Sequence, residues 1–220
     1  MKTLAIVLVL TLSPVAALAR GGDMGAYSLA GFYGLGFVNP SDINGLSSAL
    51  GTTPAVGNMS SDSYYGGSLA FMMGWRWDLK FMYDQHDAKN YTNTSVNPNT
   101  GFEIQESNVW GMLDYYLIHT RSAYMTLGAG AGYPTNFHVT EQAATTTQFS
   151  AASNLNYIGQ ATIGIMLGSH FSIYFDGGYQ RIISGNLTDP SNNILKNTSG
   201  AAAVADLSGF RADAGIRIHL

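Results

Sequence analysis

From Tyr27 to the end of the chain, apolar and polar residues alternate with a period of two in eight segments separated by loop-like clusters. In an extended strand successive side chains point to opposite faces, so this period predicts strands with one apolar face and one mixed face. The last segment shows it best: Phe210, Ala212, Ala214, Ile216, Ile218 and Leu220 share one face, while Arg211, Asp213, Arg217 and His219 share the other. The third sets Trp77, Leu79, Phe81 and Tyr83 against Asp78, Lys80, Asp84 and His86, and the fourth sets Val109, Leu113, Tyr115 and Leu117 against Asn108, Trp110 and Asp114. The seventh opposes Phe171, Ile173, Phe175 and Tyr179 to Ser172, Tyr174, Asp176 and Gln180. In the sixth, Ile158 and Met166 interrupt an otherwise regular alternation.

The connections alternate in length. Short turns fall near Gly74-Trp75-Arg76, His119-Thr120-Arg121 and Gly168-Ser169. Long polar stretches run over Asn39 to Asp62, Tyr91 to Gly101, Glu141 to Ser153 and Gly185 to Ala205. Three short turns and four long loops are what an all-β, eight-stranded antiparallel up-and-down barrel requires when both chain ends lie on the short-turn side. Ahead of the strands, Lys2, an apolar run from Leu4 to Leu12, Pro14 and the small-residue site Ala17-Leu18-Ala19 predict a secretory signal peptide over 1–19, with the barrel over 20–220. A retained helical anchor is the alternative, but the apolar run is shorter than the ~20 residues a spanning helix needs.

Composition decides which kind of barrel this is. Only 11% of residues are charged although 46% are hydrophobic, and mean hydropathy is only +0.05. Cysteine is absent, which excludes a disulfide framework and thiol chemistry, and a pI near 5.6 gives no footprint for nucleic acid. In a soluble barrel the apolar face would point inward. Here the apolar face carries the bulky residues, whereas the opposite face carries Gly34, Gly36, Gly66, Gly128, Gly130, Gly132, Gly164 and Gly178 among its charges. Eight strands leave an interior that side chains just fill, so glycine suits the inner wall and the bulky residues are expected to face lipid. Aromatic residues gather at both ends of the expected lipid-facing surface: Tyr27, Trp75, Trp77 and Phe171 near the short turns, and Phe37, Tyr65, Tyr83, Tyr133, Tyr157, Tyr179 and Phe210 near the loops. Two such girdles mark the two interfaces of a membrane barrel. A soluble sandwich with aromatic-rich strands is the competing architecture.

The runs Leu127-Gly-Ala-Gly-Ala-Gly-Tyr133 and Tyr174-Phe-Asp-Gly-Gly-Tyr179, with the terminal strand Phe210 to Leu220, resemble the small bacterial outer-membrane β-barrel family. That family includes the transmembrane domain of outer-membrane protein A, outer-membrane protein X and the opacity-type surface proteins. The resemblance implies location in the bacterial outer membrane among lipid and lipopolysaccharide. It also implies insertion by the barrel-assembly machinery, which in this family reads a C-terminal strand ending in an aromatic residue; this chain ends in His219-Leu220.

The inner face predicts a polar network of Asp78, Lys80, Asp84, Glu106, Asp114, Asp176, Arg211, Asp213 and Arg217, six acids against three bases, with ion pairs expected for Lys80 with Asp114 and for Arg211 with Asp176. Buried charges persist only when paired, so a structural plug is the plainer reading and a narrow or gated cation-preferring channel the alternative. His170 and Ser172, two apart, have the spacing of a nucleophile pair in outer-membrane lipid A-modifying enzymes, but no carboxylate stands at a partner position. His119, His170 and His219 lack metal-ligand spacing. No catalytic residue, metal or cofactor is therefore expected. The role expected is structural or surface-interacting, with the loops meeting a host or surface ligand.

Overall fold

The computed structural model describes residues 26–50, 55–93, 98–143, 145–152 and 154–220; the signal-peptide expectation at 1–19 lies outside them. The strands are β1 (Tyr27–Val38), β2 (Ser61–Met73), β3 (Trp77–Asn93), β4 (Pro98–His119), β5 (Ala123–Gln142), β6 (Thr146–Ala151), β7 (Asn156–Met166), β8 (Phe171–Arg181), β9 (Leu187–Thr188) and β10 (Gly209–His219), with one helix, α1 (Ser41–Ala49). Eight of them form an antiparallel ring in the order β4–β3–β2–β1–β10–β8–β7–β5, closed by the pairing of β4 with β5, while β6 and β9 extend the sheet from β5 outside the ring. The ends of the ring meet: Leu220 N–H donates to the Tyr27 carbonyl at 2.9 Å. Among the described residues no helix is long and apolar enough to cross a membrane.

Alternation sorts the side chains as the pattern requires. Leu35, Phe175 and Ile216 on the outside are 51%, 58% and 60% exposed, whereas Asp84, Tyr174 and Trp110 on the inside are buried. An outer belt of this size and apolarity far exceeds what a water-soluble monomer presents, and it makes the outside a surface for lipid. Ile158, which broke the alternation, is a buried inner residue, and Met166 packs against the core.

The register explains the glycines. Across successive strands one inner row reads Tyr124, Gly164, Tyr174, Gly215, Phe32, Gly66, Asp84. A second reads Asp114, Gly128, Gln160, Gly178, Arg211, Gly36, Asp62. Large side chains and glycines alternate around the wall, so each ring or charged group lies over its neighbour's bare backbone. A Cβ built on Gly164 would overlap the Tyr124 ring, one on Gly132 the Trp110 indole, and one on Gly128 the Asp114 carboxylate. This is how a narrow barrel fills its core without voids.

The long stretches are less loop-like than their composition suggests. Tyr91 to Gly101, expected as a loop, is mostly strand, because β3 runs to Asn93 and β4 starts at Pro98. Asn39 to Asp62 holds α1 and the start of β2, Glu141 to Ser153 holds β6, and Gly185 to Ala205 holds β9. A register irregularity at Ser107/Asn108 lets Thr135 and Asn136 both face outward, so that Phe137 and Val139 turn inward above it. Together with Ile43, Phe102, Phe149 and Leu187 they carry the buried apolar cluster of the lumen on into the loop end of the molecule. Apolar burial, invisible to a period-two reading of polar segments, is what orders this cap.

Candidate functional site

The lumen is organised by Arg211 on β10. Its Nη1 donates to Asp84 Oδ2 at 3.0 Å and to Gln180 Oε1 at 3.2 Å, Nη2 donates to Asp213 Oδ2 at 3.3 Å, and Nε donates to the Tyr64 hydroxyl at 3.1 Å. The guanidinium also lies 4.1 Å from the Tyr64 ring centroid, and Tyr64 in turn donates to Asp213 at 2.9 Å. His86 continues the chain: Nδ1 bonds Asp62, Nε2 lies 3.5 Å from Asp84, and the ring stacks on Tyr64 at 5.0 Å. Trp110 Nε1 donates to the other Asp84 oxygen at 3.0 Å. Five ring strands thus converge on one cluster near the loop end of the lumen.

Nearer the short turns, Lys80 Nζ meets Asp114 at 2.8 Å and the Tyr116 hydroxyl donates to Asp78 at 2.6 Å. Arg217 lies between the rings of Tyr124 and Tyr174, at 5.2 and 5.0 Å. Of the nine residues expected in the network, eight are buried and Asp176 is partly so. The expected pairing of Arg211 with Asp176 is not made. Register places Asp176 opposite Asp213 and Arg211 opposite Gly178, so Arg211 turns to Asp84 across the lumen and Asp176 accepts from Gln160 Nε2 at 3.2 Å. Glu106 accepts from Asn156 at 3.1 Å. Asp62, Tyr64, His86 and Trp110 belong to the cluster although sequence reasoning left them outside it. The alternation puts His86 and Trp110 on the inner face, whereas Asp62 closes a long polar stretch in the sequence.

The nucleophile pair does not form. His170 is exposed and bonds Ser169, while Ser172 is buried and bonds His219 Nε2 at 3.0 Å and the Tyr124 hydroxyl at 3.2 Å. Every aromatic residue expected at the girdles faces outward. Trp75, Trp77 and Phe171 are 61%, 43% and 50% exposed at the short-turn end, where Tyr27 packs edge-on against Phe71. Phe37, Tyr83, Tyr133, Tyr179 and Phe210 occupy the loop end.

The cap is tied down by polar contacts as well as by its apolar core. Asp42 on α1 accepts from the Val204 N–H and the Asn197 side chain, both at 3.1 Å, joining the first long connection to the last. At the cap's edge, Asp189 accepts from the Asn193 side-chain amide at 2.9 Å and from the backbone N–H groups of Asn193 and Ser191, both at 2.8 Å. The Asn193 side chain first, then these backbone donors, hold the Asp189 carboxyl below its usual range. A depressed value in the folded state stabilises this turn above the unfolded value near ~3.9 and stops doing so as pH falls through the lower folded value. Hydrogen-exchange protection of the Ser191 and Asn193 amides is therefore expected to fall below about pH 4 while β8 and β10 stay protected; equal protection of these amides across that range would contradict it.

No protein-family model matches the chain, and no curated protein does. Among solved structures it is similar to the outer membrane protein OprG from Pseudomonas aeruginosa, at 13% identity and a TM-score of 0.58, with 92% of this chain and 99% of that one covered. It is also similar to Neisserial surface protein A, at 13% identity and a TM-score of 0.53, with 89% and 98% covered. At such identities the likeness is one of fold, and it agrees with the closed ring and the apolar outer belt. The chain is a small eight-stranded β-barrel of the outer-membrane type.

Proposed function

We propose that the protein is a closed outer-membrane barrel whose task is to hold its folded cap at the cell surface, where the cap contacts a host or surface ligand. It sits among outer-membrane phospholipid and lipopolysaccharide and reaches the membrane through the barrel-assembly machinery. The observation that carries this reading is the filled lumen. Tyr64 and Trp110 are 0% exposed and Arg211 3%, whereas side chains lining a water-filled pore would be open to solvent. A cap whose apolar residues are buried against the barrel supports the same reading, since rigid presentation lowers the ordering entropy of binding a ligand.

A second reading, a narrow or gated channel, is favoured by the acids: Asp62, Asp78, Asp84, Glu106, Asp114, Asp176 and Asp213 outnumber Lys80, His86, Arg211 and Arg217 on the inner face. Lipid A modification has less support, because Ser172 faces the lumen, where its hydroxyl bonds His219 and Tyr124. Single-channel recording of the refolded barrel in a planar bilayer separates the first two. No conductance steps are expected, with or without the 185–205 stretch; reproducible steps in either form would replace the platform with the channel.

A further inference from the structure

In outer-membrane barrels the short turns face the periplasm. At that rim the turn between β2 and β3 holds an arginine in an aromatic frame. The Arg76 guanidinium carbon lies 3.9 Å from the Trp75 ring centroid, and its Nη1 donates to the Tyr115 hydroxyl at 2.7 Å. Tyr115 leans against Trp77 at 4.8 Å between centroids, and the Arg76 carbonyl accepts from the Tyr116 N–H at 2.8 Å, which fixes the turn to β4. The guanidinium is therefore oriented in advance while the residue stays partly exposed.

The described side chains around it carry charge of one sign. Among the described residues of this rim the charged side chains are Arg76 and Arg121, with His119 and His170 beside them, and the nearest acids, Asp78 and Asp114, are buried in the lumen. At the opposite end both signs are mixed, with Asp87, Lys89, Glu103, Asp189 and Lys196. Trp75, Trp77 and Tyr115 mark the depth of the headgroups, and that is where lipid phosphates lie. A guanidinium carries five donors in a planar fork suited to phosphate oxygens, of which Tyr115 takes one.

We propose that Arg76, in its Trp75–Tyr115 frame, binds the phosphate diester of a net-anionic glycerophospholipid in the periplasmic leaflet. A zwitterionic lipid presents the same phosphate beside its own cation and competes poorly. This inference rests on the membrane-embedded reading above. One basic side chain near an anionic surface favours the anionic lipid by about fivefold.

The test uses the full chain refolded into phosphatidylcholine vesicles containing phosphatidylglycerol, with spin-labelled forms of each lipid reporting which is immobilised against the protein. Phosphatidylglycerol is expected to be preferred by wild type about fivefold and less so as salt rises. The preference should fall in R76Q, persist in K89Q, whose lysine is already paired with Asp87 at 3.0 Å, and lie between in R76K, which keeps the charge but not the fork. Folding of each variant is checked by its faster gel mobility before boiling. A wild type that inserts without preference, an R76Q that keeps the preference, or an R76K equal to wild type overturns the proposal and leaves the membrane reading standing. A wild type that fails to insert at all sinks both.

Discussion

Arg211→Ala is expected to destabilise the barrel by about 3–5 kcal/mol, because it takes the guanidinium away from the buried carboxylates of Asp84 and Asp213. The change also removes the guanidinium from the Tyr64 ring and a donor from Gln180. It should appear as a lower temperature for loss of the fast-migrating folded band on gels. The triple variant R211M/D84N/D213N is expected to recover most of the loss, since neutral groups of similar shape replace a buried pair at little cost. Lys89→Ala sets the scale at the other extreme. Its pair with Asp87 is solvated, with side chains 54% and 31% exposed, and such pairs contribute about 0–1 kcal/mol. If Arg211→Ala were as mild as Lys89→Ala, the lumen cluster would not be what braces the ring.

Gly66→Val is expected to prevent folding of most of the chain. A Cβ at this position would overlap the Tyr83 backbone carbonyl on β3 and the Phe32 ring on β1. Overpacking a well-filled core costs about 1–3 kcal/mol when side chains can yield. A backbone carbonyl inside a ladder yields only by opening the β2–β3 pairing, so the loss here exceeds that range. Gly111→Ala and Gly177→Ala provide the contrast: they sit on the outer face, and a Cβ there meets nothing within 4 Å. Refolding yield into detergent or lipid, read from heat-modifiable mobility, should separate the inner from the outer glycines. Equal yields for Gly66→Val and Gly111→Ala would refute the packing argument.

Much of the barrel was legible in the chain before any coordinates. The number of ring strands, the short turns, the apolar outer face and the glycine-lined inner face follow from a period-two pattern, and that pattern is local; β6 and β9, outside the ring, lie in stretches where it is absent. Lys80 and Asp114 lie at similar depth on adjacent strands and do meet. Arg211 and Asp176 are on adjacent strands too, yet a small difference in register gives Arg211 to Asp84, 127 residues away in sequence. Asp62 looks like loop in the sequence because the residues before it are polar and irregular, and only the pairing of β2 with β1, as far as Phe37 with Ser61, brings it into the lumen beside His86. The cap is not legible in the sequence because its buried residues are scattered among Ser, Thr, Asn and Ala without a period.

The sequence by itself determined the faces of the ring strands, their number, and the conclusion that a sparsely charged, half-apolar chain turns its bulky side outward. Side-chain alternation is a property of each strand alone and needs no partner. Only the tertiary structure decided which inner residue lies over which glycine, which acid holds Arg211, and that the loops close into a cap. Those outcomes depend on register between strands and on contacts across the lumen such as Tyr64 with Asp213, 149 residues apart. Closing the ring selects one such set of contacts, because a barrel this narrow accommodates its large side chains only where its glycines leave room.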